Sequence, residues 1–145
     1  MNNSIVLTIL SGVTIFVLGQ FVLKLVLDPI VALKTVFGEL SAFFLREQTK
    51  ITGATATNEI TDEIHRISST ILAKRQAIPF YPFFAFCLRL PNKKMLLKGC
   101  QSLNSIGYNV NPNIHFSGGD RYEAIIKEMK EISTNLKVRV DFIIL

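Results

Sequence analysis

The sequence predicts a mainly α-helical protein in which an N-terminal transmembrane helix precedes a small helical cytoplasmic domain, with a possible short C-terminal strand. Two features predict this class. A long apolar run near the N-terminus holds a single charge, and the segments after it repeat apolar residues at intervals of three and four. At 145 residues, the chain has room for a membrane anchor and one small domain.

The run from Ile5 to Leu27 is predicted to cross a membrane. It has 23 residues, and Lys24 is its only charge. A helix of that length covers about 34 Å, which exceeds the roughly 30 Å of a bilayer's hydrocarbon core. A cleaved signal peptide is the competing interpretation, but the run is too long for a signal's apolar region and no clean small-residue cleavage site follows. We therefore expect residues 1–28 to form a retained anchor.

The distribution of basic residues predicts the orientation of this anchor. No Lys or Arg precedes the apolar run, and every one outside it follows, from Lys34 onward. Because cytoplasmic flanks carry the excess of Lys and Arg, we expect the N-terminus outside and the C-terminal domain in the cytoplasm. Lys24 can extend its side chain to the inner headgroups.

Small and polar residues inside the apolar run predict self-association. Gly12 and Gly19 are seven residues apart and share one helical face, and Gln20 adjoins it. Small residues let two helices approach closely, and a buried amide can hydrogen-bond across the contact. We expect a homo-oligomer with this seam; the alternative is that such residues are ordinary in a span.

The segment after Asp28-Pro29 has the spacing of an amphipathic helix. Its apolar residues occupy positions 30, 33, 36, 37, 40, 43 and 44. We expect residues 29–50 to form an interfacial or stalk helix, with a second span over residues 30–45 as the minority alternative. Residues 51–145 would then form a basic helical domain in the cytoplasm.

Three further helices are predicted in that domain. The first carries a buried stripe of isoleucines, with acidic residues at its start and basic residues at its end, as the helix dipole favours. The second runs from Asn92 to about Ile106 and stops at Gly107. The third begins with Asp120 as its N-cap. The tail, residues 137–145, alternates like a strand, although the last helix could instead continue through it. The stripe of the first helix is Ile60, Ile64, Ile67 and Ile71, and the buried side of the third is Tyr122, Ile125, Ile126, Met129, Ile132 and Leu136.

An aromatic wedge, Ile78 to Leu88, is the least typical stretch for a soluble domain. It holds five aromatic residues and two prolines and carries no charge. Pro79 ends the preceding helix, and Pro82 prevents a regular central strand. The rings could form the core of the small domain, or part of the wedge could insert into the inner leaflet while the neighbouring cations meet anionic headgroups. The five rings are Phe80, Tyr81, Phe83, Phe84 and Phe86.

Cations without acidic neighbours predict an anion-binding surface. No Asp or Glu occurs between Glu63 and Asp120, whereas seven Lys or Arg do, in a chain of net charge +5. Lys93 and Lys94 begin a helix, where a positive charge opposes the dipole unless an anion binds there. The alternative is that these cations only solubilise the domain. The candidate ligand or headgroup residues are Lys74, Arg75, Arg89, Lys93, Lys94 and Lys98, and the candidate aromatic contacts are Phe80, Tyr81, Phe83, Phe84 and Tyr108.

The remaining reactive residues suggest no chemistry. Cys87 and Cys100 follow no metal-binding pattern and are interpreted as small buried hydrophobic residues. His65 and His115 are too few for a metal site or a catalytic pair. Ser117-Gly118-Gly119 could form a phosphate nest, although a plain turn is the simpler interpretation. We expect no cofactor, no metal and no enzymatic activity.

Three segments of the chain resemble a family of small single-span bacterial inner-membrane proteins of unestablished function. They are "LSGVTIFVLGQFVLKLVLDPI", "ILAKRQAIPFY" and "LRLPNKKMLLKGCQSLNS", and the resemblance covers roughly residues 10–106. It implies a location in the bacterial inner membrane and an architecture, and it carries no catalytic motif. The end of this chain is longer and more apolar than that family leads us to expect.

Two hypotheses of function follow. The favoured one is a membrane-anchored, non-enzymatic, oligomeric interaction module that binds an anionic partner or the inner leaflet. The alternative is a ligand-gated membrane effector of a bacterial anti-phage system of the CRISPR type, whose cytoplasmic domain senses a cyclic oligonucleotide. In that case the cations would hold phosphates, and Phe80, Tyr81 or Tyr108 would stack on bases. Duplex nucleic acid is not expected as a partner. A hydrolase using the two histidines is the third and least favoured hypothesis.

Overall fold

The computed structural model describes residues 2–53, 55–111 and 118–142, and over these residues the protein is mainly helical. No strand occurs among them, so the strand predicted for the tail is wrong for the part of the tail that is described. The elements are α1 (Asn2–Val22), a π-helical turn (Leu23–Leu27), α2 (Asp28–Thr52), α3 (Asn58–Gln76), α4 (Tyr81–Cys87), α5 (Lys93–Val110) and α6 (Gly118–Leu136).

The first two helices form one uninterrupted helix that passes through a proline. Pro29 has no amide hydrogen and its ring crowds the preceding turn, which ordinarily kinks or ends a helix. Here the wider π turn lies directly before the proline, and the amide of Asp28 donates to the carbonyl of Leu23. The helix therefore continues, and a hairpin of two spans over residues 30–45 is not formed.

This helix is long and apolar enough in its first part to cross a membrane. Its most apolar stretch of 18 residues has a mean hydropathy of 2.3, and none of that stretch is buried within the protein. Every side chain from residue 4 to residue 25 is exposed. A signal sequence would satisfy the same criteria of length and composition.

The apolar face of α2 forms the centre of the domain instead of an interfacial or stalk surface. Leu33, Leu40 and Phe44 are fully buried, and α2 packs against α3 and α6. The sequence predicts that residues 29–50 lie outside the domain of residues 51–145. The buried side chains of α2 instead belong to the core of that domain. Heptad-like spacing alone predicts an amphipathic helix, but it does not tell which surface covers the apolar face.

Helices α3, α5 and α6 pack side by side in alternating directions. The Ser68 hydroxyl of α3 donates to the carbonyl of Cys100 in α5 at 3.3 Å, and the two ends of α5 meet α6 through Gly99 against Leu136 and through Arg121 bonded to Asn109. The predicted stripe of α3 is confirmed, since all four of its isoleucines are buried. On α6, Ile125, Met129, Ile132 and Leu136 are buried as predicted and Ile126 is partly buried, but Tyr122 is exposed.

Two predicted helix boundaries are wrong. Helix α5 does not stop at Gly107 but continues to Val110. A Cβ at Gly107 would lie 2.9 Å from the Cε1 atom of His65, an exposed side chain that has room to move. Helix α6 begins at Gly118, so Asp120 lies inside the first turn and is not the residue before it. Ser117 of the suggested phosphate nest lies outside the described residues.

The tail packs along α2. The Ser41 hydroxyl donates to the carbonyl of Arg139, the Gln48 amide donates to the carboxylate of Asp141, and Val140 is buried. The side chains of α2 therefore satisfy polar groups of residues 139–141, and α6 does not continue past Leu136.

Four elements meet at one end of the domain, which we call the proximal end. Lys34 and Phe37 of α2 line one shallow pocket with residues 88–91, which join α4 to α5, and with residues 136–138 at the end of α6. Ile30 is only 3% exposed, and Val26, inside the apolar run, also packs on the core. The proximal end therefore adjoins the apolar part of the long helix. The opposite end, which holds the end of α5, is the distal end.

We expect Gly99→Ala to lower the free energy of unfolding by about 1–3 kcal/mol, because the added Cβ overlaps the buried Leu136 side chain. Gly38→Ala is the matched control: it lies in the exposed part of α2 with nothing within 4 Å, so the same change should raise the free energy by up to about 1 kcal/mol. Unfolding in detergent, followed by circular dichroism, measures both. Equal effects of the two changes would contradict the packing described for α5 and α6.

Candidate functional site

Helix α4 carries most of the aromatic wedge on its outer side. Phe80 is 80% exposed, Phe83 is 63% exposed and Phe86 is 86% exposed, whereas Phe84 is partly buried against the core. The interpretation of these rings as core is therefore wrong for three of the four phenylalanines. Phe83 and Phe84 contact each other edge to face, with ring centroids 5.3 Å apart.

Tyr81 is the ring that anchors α4 to the domain. It is 3% exposed, its hydroxyl donates to the carbonyl of Pro91 at 2.6 Å, and the Arg75 guanidinium lies over its ring at 5.2 Å. Burial raises the pKa of Tyr81, and the nearby Arg75 charge opposes that rise. Arg75 and Tyr81, both predicted as ligand contacts, thus contact each other. Tyr81 has no exposed face on which a ligand could stack.

Arg89 occupies a turn position that glycine usually fills. The amide of Leu90 donates to the carbonyl of Ala85 at 2.9 Å, and the amide of Arg89 donates to the carbonyl of Phe86, which is the Schellman pattern at the end of a helix. Arg89 has a φ of 52° in this turn. A residue with a side chain is disfavoured in this left-handed region relative to glycine.

The two other described non-glycine residues with positive φ lie at the same end. Lys137, with a φ of 56°, follows the last residue of α6, and its Nζ donates to the carbonyl of Arg89 at 3.1 Å. Phe80, with a φ of 50°, precedes α4. Phe80 and Arg89 thus flank α4, and the side chain of Lys137 is bonded to the backbone of the Arg89 turn.

These turns border an open groove of about 780 Å³ between α4 and the start of α5. Its apolar side includes Ala85 and Leu90, which are buried. Of the described residues that line it, four are cationic and none is acidic. The lining residues are Tyr81, Pro82, Ala85, Phe86, Arg89, Leu90, Asn92, Lys93, Lys94, Met95 and Lys137.

The structure retains the two lysines at the positive end of the α5 dipole, where their charges are unfavourable. Lys93 and Lys94 form the first turn, which contains no acidic residue, and both line the groove. The Asn92 side chain caps the helix by accepting from the amide of Met95 at 2.9 Å. The cap stabilises the helix start and leaves the two ammonium groups to oppose the dipole.

Other predicted site residues lie elsewhere. Lys74 is exposed at the end of α3, while Lys98 borders a different surface that also contains Glu128 and Glu131 of α6. Tyr108 is exposed fifteen residues beyond Lys93 on the same helix, so a rise of 1.5 Å per residue separates them by about 22 Å. The structure therefore brings Arg89, Lys93 and Lys94 together and separates Lys98 and Tyr108 from them.

Sequence reasoning missed Lys137 as a groove residue. It is 43 residues from Lys94 in the sequence and reaches the groove only because α6 runs back beside α5. One local signal in the sequence was available. A lysine stands directly after the last apolar residue of the helical pattern, at the position where glycine usually ends a helix.

The predicted oligomer seam lies on the exposed part of α1. A Cβ added at Gly12 or Gly19 would meet nothing within 4 Å, and the Gln20 side chain is exposed. Nothing in the described part of the chain therefore covers this face.

The reactive residues support no catalytic arrangement among the described residues. The Nδ1 of His65 lies 3.2 Å from the Oδ1 of Asn104, and His115 lies outside the described residues. No group of three or more His, Cys, Asp or Glu that could hold a metal occurs in residues 2–53, 55–111 and 118–142. Cys100 is buried as predicted, but Cys87 is exposed on α4, four residues after Phe83.

The comparisons with known proteins add no family. No protein-family model, no curated protein and no solved structure matches this chain. The resemblance to small inner-membrane proteins stays a prediction.

The two thiols should react at very different rates. Burial raises the pKa of Cys100 to about 11, so only about one in a thousand of its thiols is ionised at pH 8. A water-soluble maleimide should therefore modify one thiol rapidly in the detergent-solubilised full chain. Cys87→Ser should abolish the rapid reaction and Cys100→Ser should preserve it. A Cys87→Ser chain that reacts at the original rate would contradict the burial of Cys100.

Proposed function

We propose that this protein is a membrane-anchored, non-enzymatic interaction module whose cytoplasmic domain docks its proximal end on the anionic inner leaflet. The observation that carries the proposal is the coincidence of exposed phenylalanines and unopposed cations at the end of the domain that adjoins the apolar helix. In a soluble protein that arrangement would leave large rings in water without a compensating contact.

The position of the core along the long helix supports this docking. Ile30 and Val26 pack on the domain. In the same stretch of helix, the Lys24 ammonium lies 3.5 Å from the Asp28 carboxylate and pairs with it. If residues up to Leu27 lie in the bilayer, the proximal end lies at headgroup level. The uninterrupted helix from the apolar run into the core-forming α2 also supports a retained anchor over a cleaved leader.

The chemistry of the surface suits a leaflet. Phe83 and Phe86 of α4 and Phe80 directly before it are exposed, and burying a phenylalanine is worth about 1.5–3 kcal/mol. Each Lys or Arg near an anionic membrane surface adds about 1 kcal/mol. The described cations at the proximal end are Lys34, Lys74, Arg75, Arg89, Lys93, Lys94 and Lys137.

The proposal includes the orientation predicted from the charges, with the N-terminus outside and the domain in the cytoplasm of a bacterial cell. The nucleotide-sensing alternative has less support from the geometry. Tyr81 is buried under Arg75, and Tyr108 and Lys98 lie away from the groove. A base would have only the exposed phenylalanines to stack on.

Docking predicts that an anionic membrane protects Cys87. We expect the maleimide to modify Cys87 of the full chain several-fold more slowly in phosphatidylglycerol nanodiscs than in phosphatidylcholine nanodiscs, because α4 lies against the anionic surface. Salt should remove the difference. Each rate is divided by the rate of the same variant in detergent, so that intrinsic reactivity cancels.

Phe83→Ala should weaken the docking equilibrium by about tenfold or more, since one ring loses its apolar environment, and should therefore remove most of the several-fold protection of Cys87. Tyr108→Ala is the matched control, an exposed aromatic residue at the distal end, and should leave protection unchanged. Equal Cys87 rates in the two kinds of nanodisc would contradict docking.

We also propose that α1 associates with copies of itself through Gly12, Gly19 and Gln20, because the exposed amide lacks a described partner in its own chain. Gln20→Leu should weaken self-association in liposomes by about 1 kcal/mol. Thr14→Val is the control, because Thr14 lies on the other side of the helix and bonds to the carbonyl of Leu10. Energy transfer between labelled chains at increasing lipid dilution measures both, and unchanged association of the Gln20 variant would refute the seam.

A further inference from the structure

We propose that the groove between α4 and α5 binds one anionic phospholipid, with the headgroup phosphate between the cations and the start of an acyl chain on the apolar side. This inference rests on the proposed docking and names the partner of that surface. It concerns a single bound lipid with defined contacts, whereas docking requires only a charged and apolar surface.

Four cations from three parts of the chain line this one groove. Arg89 comes from the turn after α4, Lys93 and Lys94 from the first turn of α5, and Lys137 from the end of α6. None of the described lining residues is acidic, so nothing in that lining neutralises them. A phosphate accepts several charge-assisted hydrogen bonds, and an arginine with nearby lysines suits that geometry.

Most of the other residues that line the groove are apolar. Ala85 and Leu90 are buried in its floor, and Pro82, Phe86 and Met95 also line it. A volume of about 780 Å³ is within the range of sites that enclose a small organic ligand. Free phosphate would leave this apolar part filled with water. A ligand that joins a phosphate to a hydrocarbon chain satisfies both sides.

The backbone supports a role for the two cations at the turns. Arg89 and Lys137 both occupy left-handed positions that glycine would fill more favourably, and the Lys137 ammonium is bonded to the Arg89 carbonyl. The fold therefore places a cation at two adjacent positions where the backbone favours no side chain. An observed strain of this kind motivates a hypothesis of function.

The position of the groove selects a membrane lipid over a soluble ligand. The groove lies at the proximal end, beside the pocket that Lys34 and Phe37 of α2 share with residues 88–91. Phe86, which is exposed, lines the groove and also belongs to the docking surface. A lipid in the adjoining leaflet could place its headgroup in the groove while most of its acyl chains stay in the bilayer.

The two turn positions supply variants that retain the fold. Arg89→Gly and Lys137→Gly each remove one cation and place glycine where the backbone prefers it, so the thermal midpoint should stay the same or rise. Lys98→Ala is the control, since it removes a lysine of α5 that faces a different surface.

Native mass spectrometry of the full chain in a mild detergent can count bound lipids. With dioctanoyl-phosphatidylglycerol we expect one saturable lipid per chain, bound about tenfold or more tightly than dioctanoyl-phosphatidylcholine. Arg89→Gly and Lys137→Gly should each weaken this binding by about tenfold, as expected for the loss of a charged hydrogen bond. Lys98→Ala should bind like the unchanged chain.

Three results would overturn the inference. They are equal binding of the two lipids, unchanged phosphatidylglycerol binding in Arg89→Gly, and tighter binding of glycerol phosphate or a cyclic dinucleotide than of the lipid. The test is separate from that of docking. Loss of Cys87 protection with retained lipid binding in detergent contradicts docking alone, whereas equal lipid binding contradicts the groove whatever the protection result.

Discussion

The architecture depends on the continuity of the helix from Asn2 to Thr52. Its first half is exposed and apolar, and its second half supplies the central apolar face of the domain. Because a hydrogen-bonded helix bends little over a few turns, the domain has a defined position relative to the apolar half. The π turn before Pro29 preserves that continuity at the junction, where a proline would otherwise end or kink the helix. A shorter core built only from α3, α5 and α6 would lack Leu33, Leu40 and Phe44.

The alternating directions of α3, α5 and α6 then determine what gathers at the proximal end. The end of α3, all of α4, the start of α5 and the end of α6 lie there together. Lys and Arg occur at the end of α3, at the start of α5 and in the turns that follow α4 and α6. Lys74 and Arg75 in the last turn of α3 and Lys137 directly after α6 agree with the helix dipole, whereas the two lysines at the start of α5 oppose it. The surface is thus partly a consequence of ordinary helix electrostatics and partly an exception to it. That exception is part of the basis on which an anion-binding role is proposed for this surface.

Helix α4 is held to the domain by few buried residues, and some of its aromatic rings are exposed. Tyr81 and Ala85 fix its inner side, and the turn at Arg89 returns the chain to the core at Leu90. With only seven residues, α4 buries few of its side chains, so Phe83 and Phe86 remain exposed while Phe84 is partly buried. The proposed leaflet contact and the proposed lipid groove use the two sides of this one short helix.

The sequence by itself determined the helical class, the apolar N-terminal run, the isoleucine stripe of α3 and the Asn92 start of α5, because hydrophobic periodicity and capping are local properties. It also predicted Arg89, Lys93 and Lys94 as candidates for anion binding, because no acidic residue lies near them in the sequence. Only the tertiary structure decided that the apolar face of α2 is covered by protein, that Gly107 lies inside α5 beside His65, and that Phe80, Phe83 and Phe86 remain exposed. It alone brought Lys137 to the groove and separated Lys98 and Tyr108 from it. The physical reason is that an apolar or basic pattern states what a face requires, whereas the direction and packing of distant helices decide what meets it.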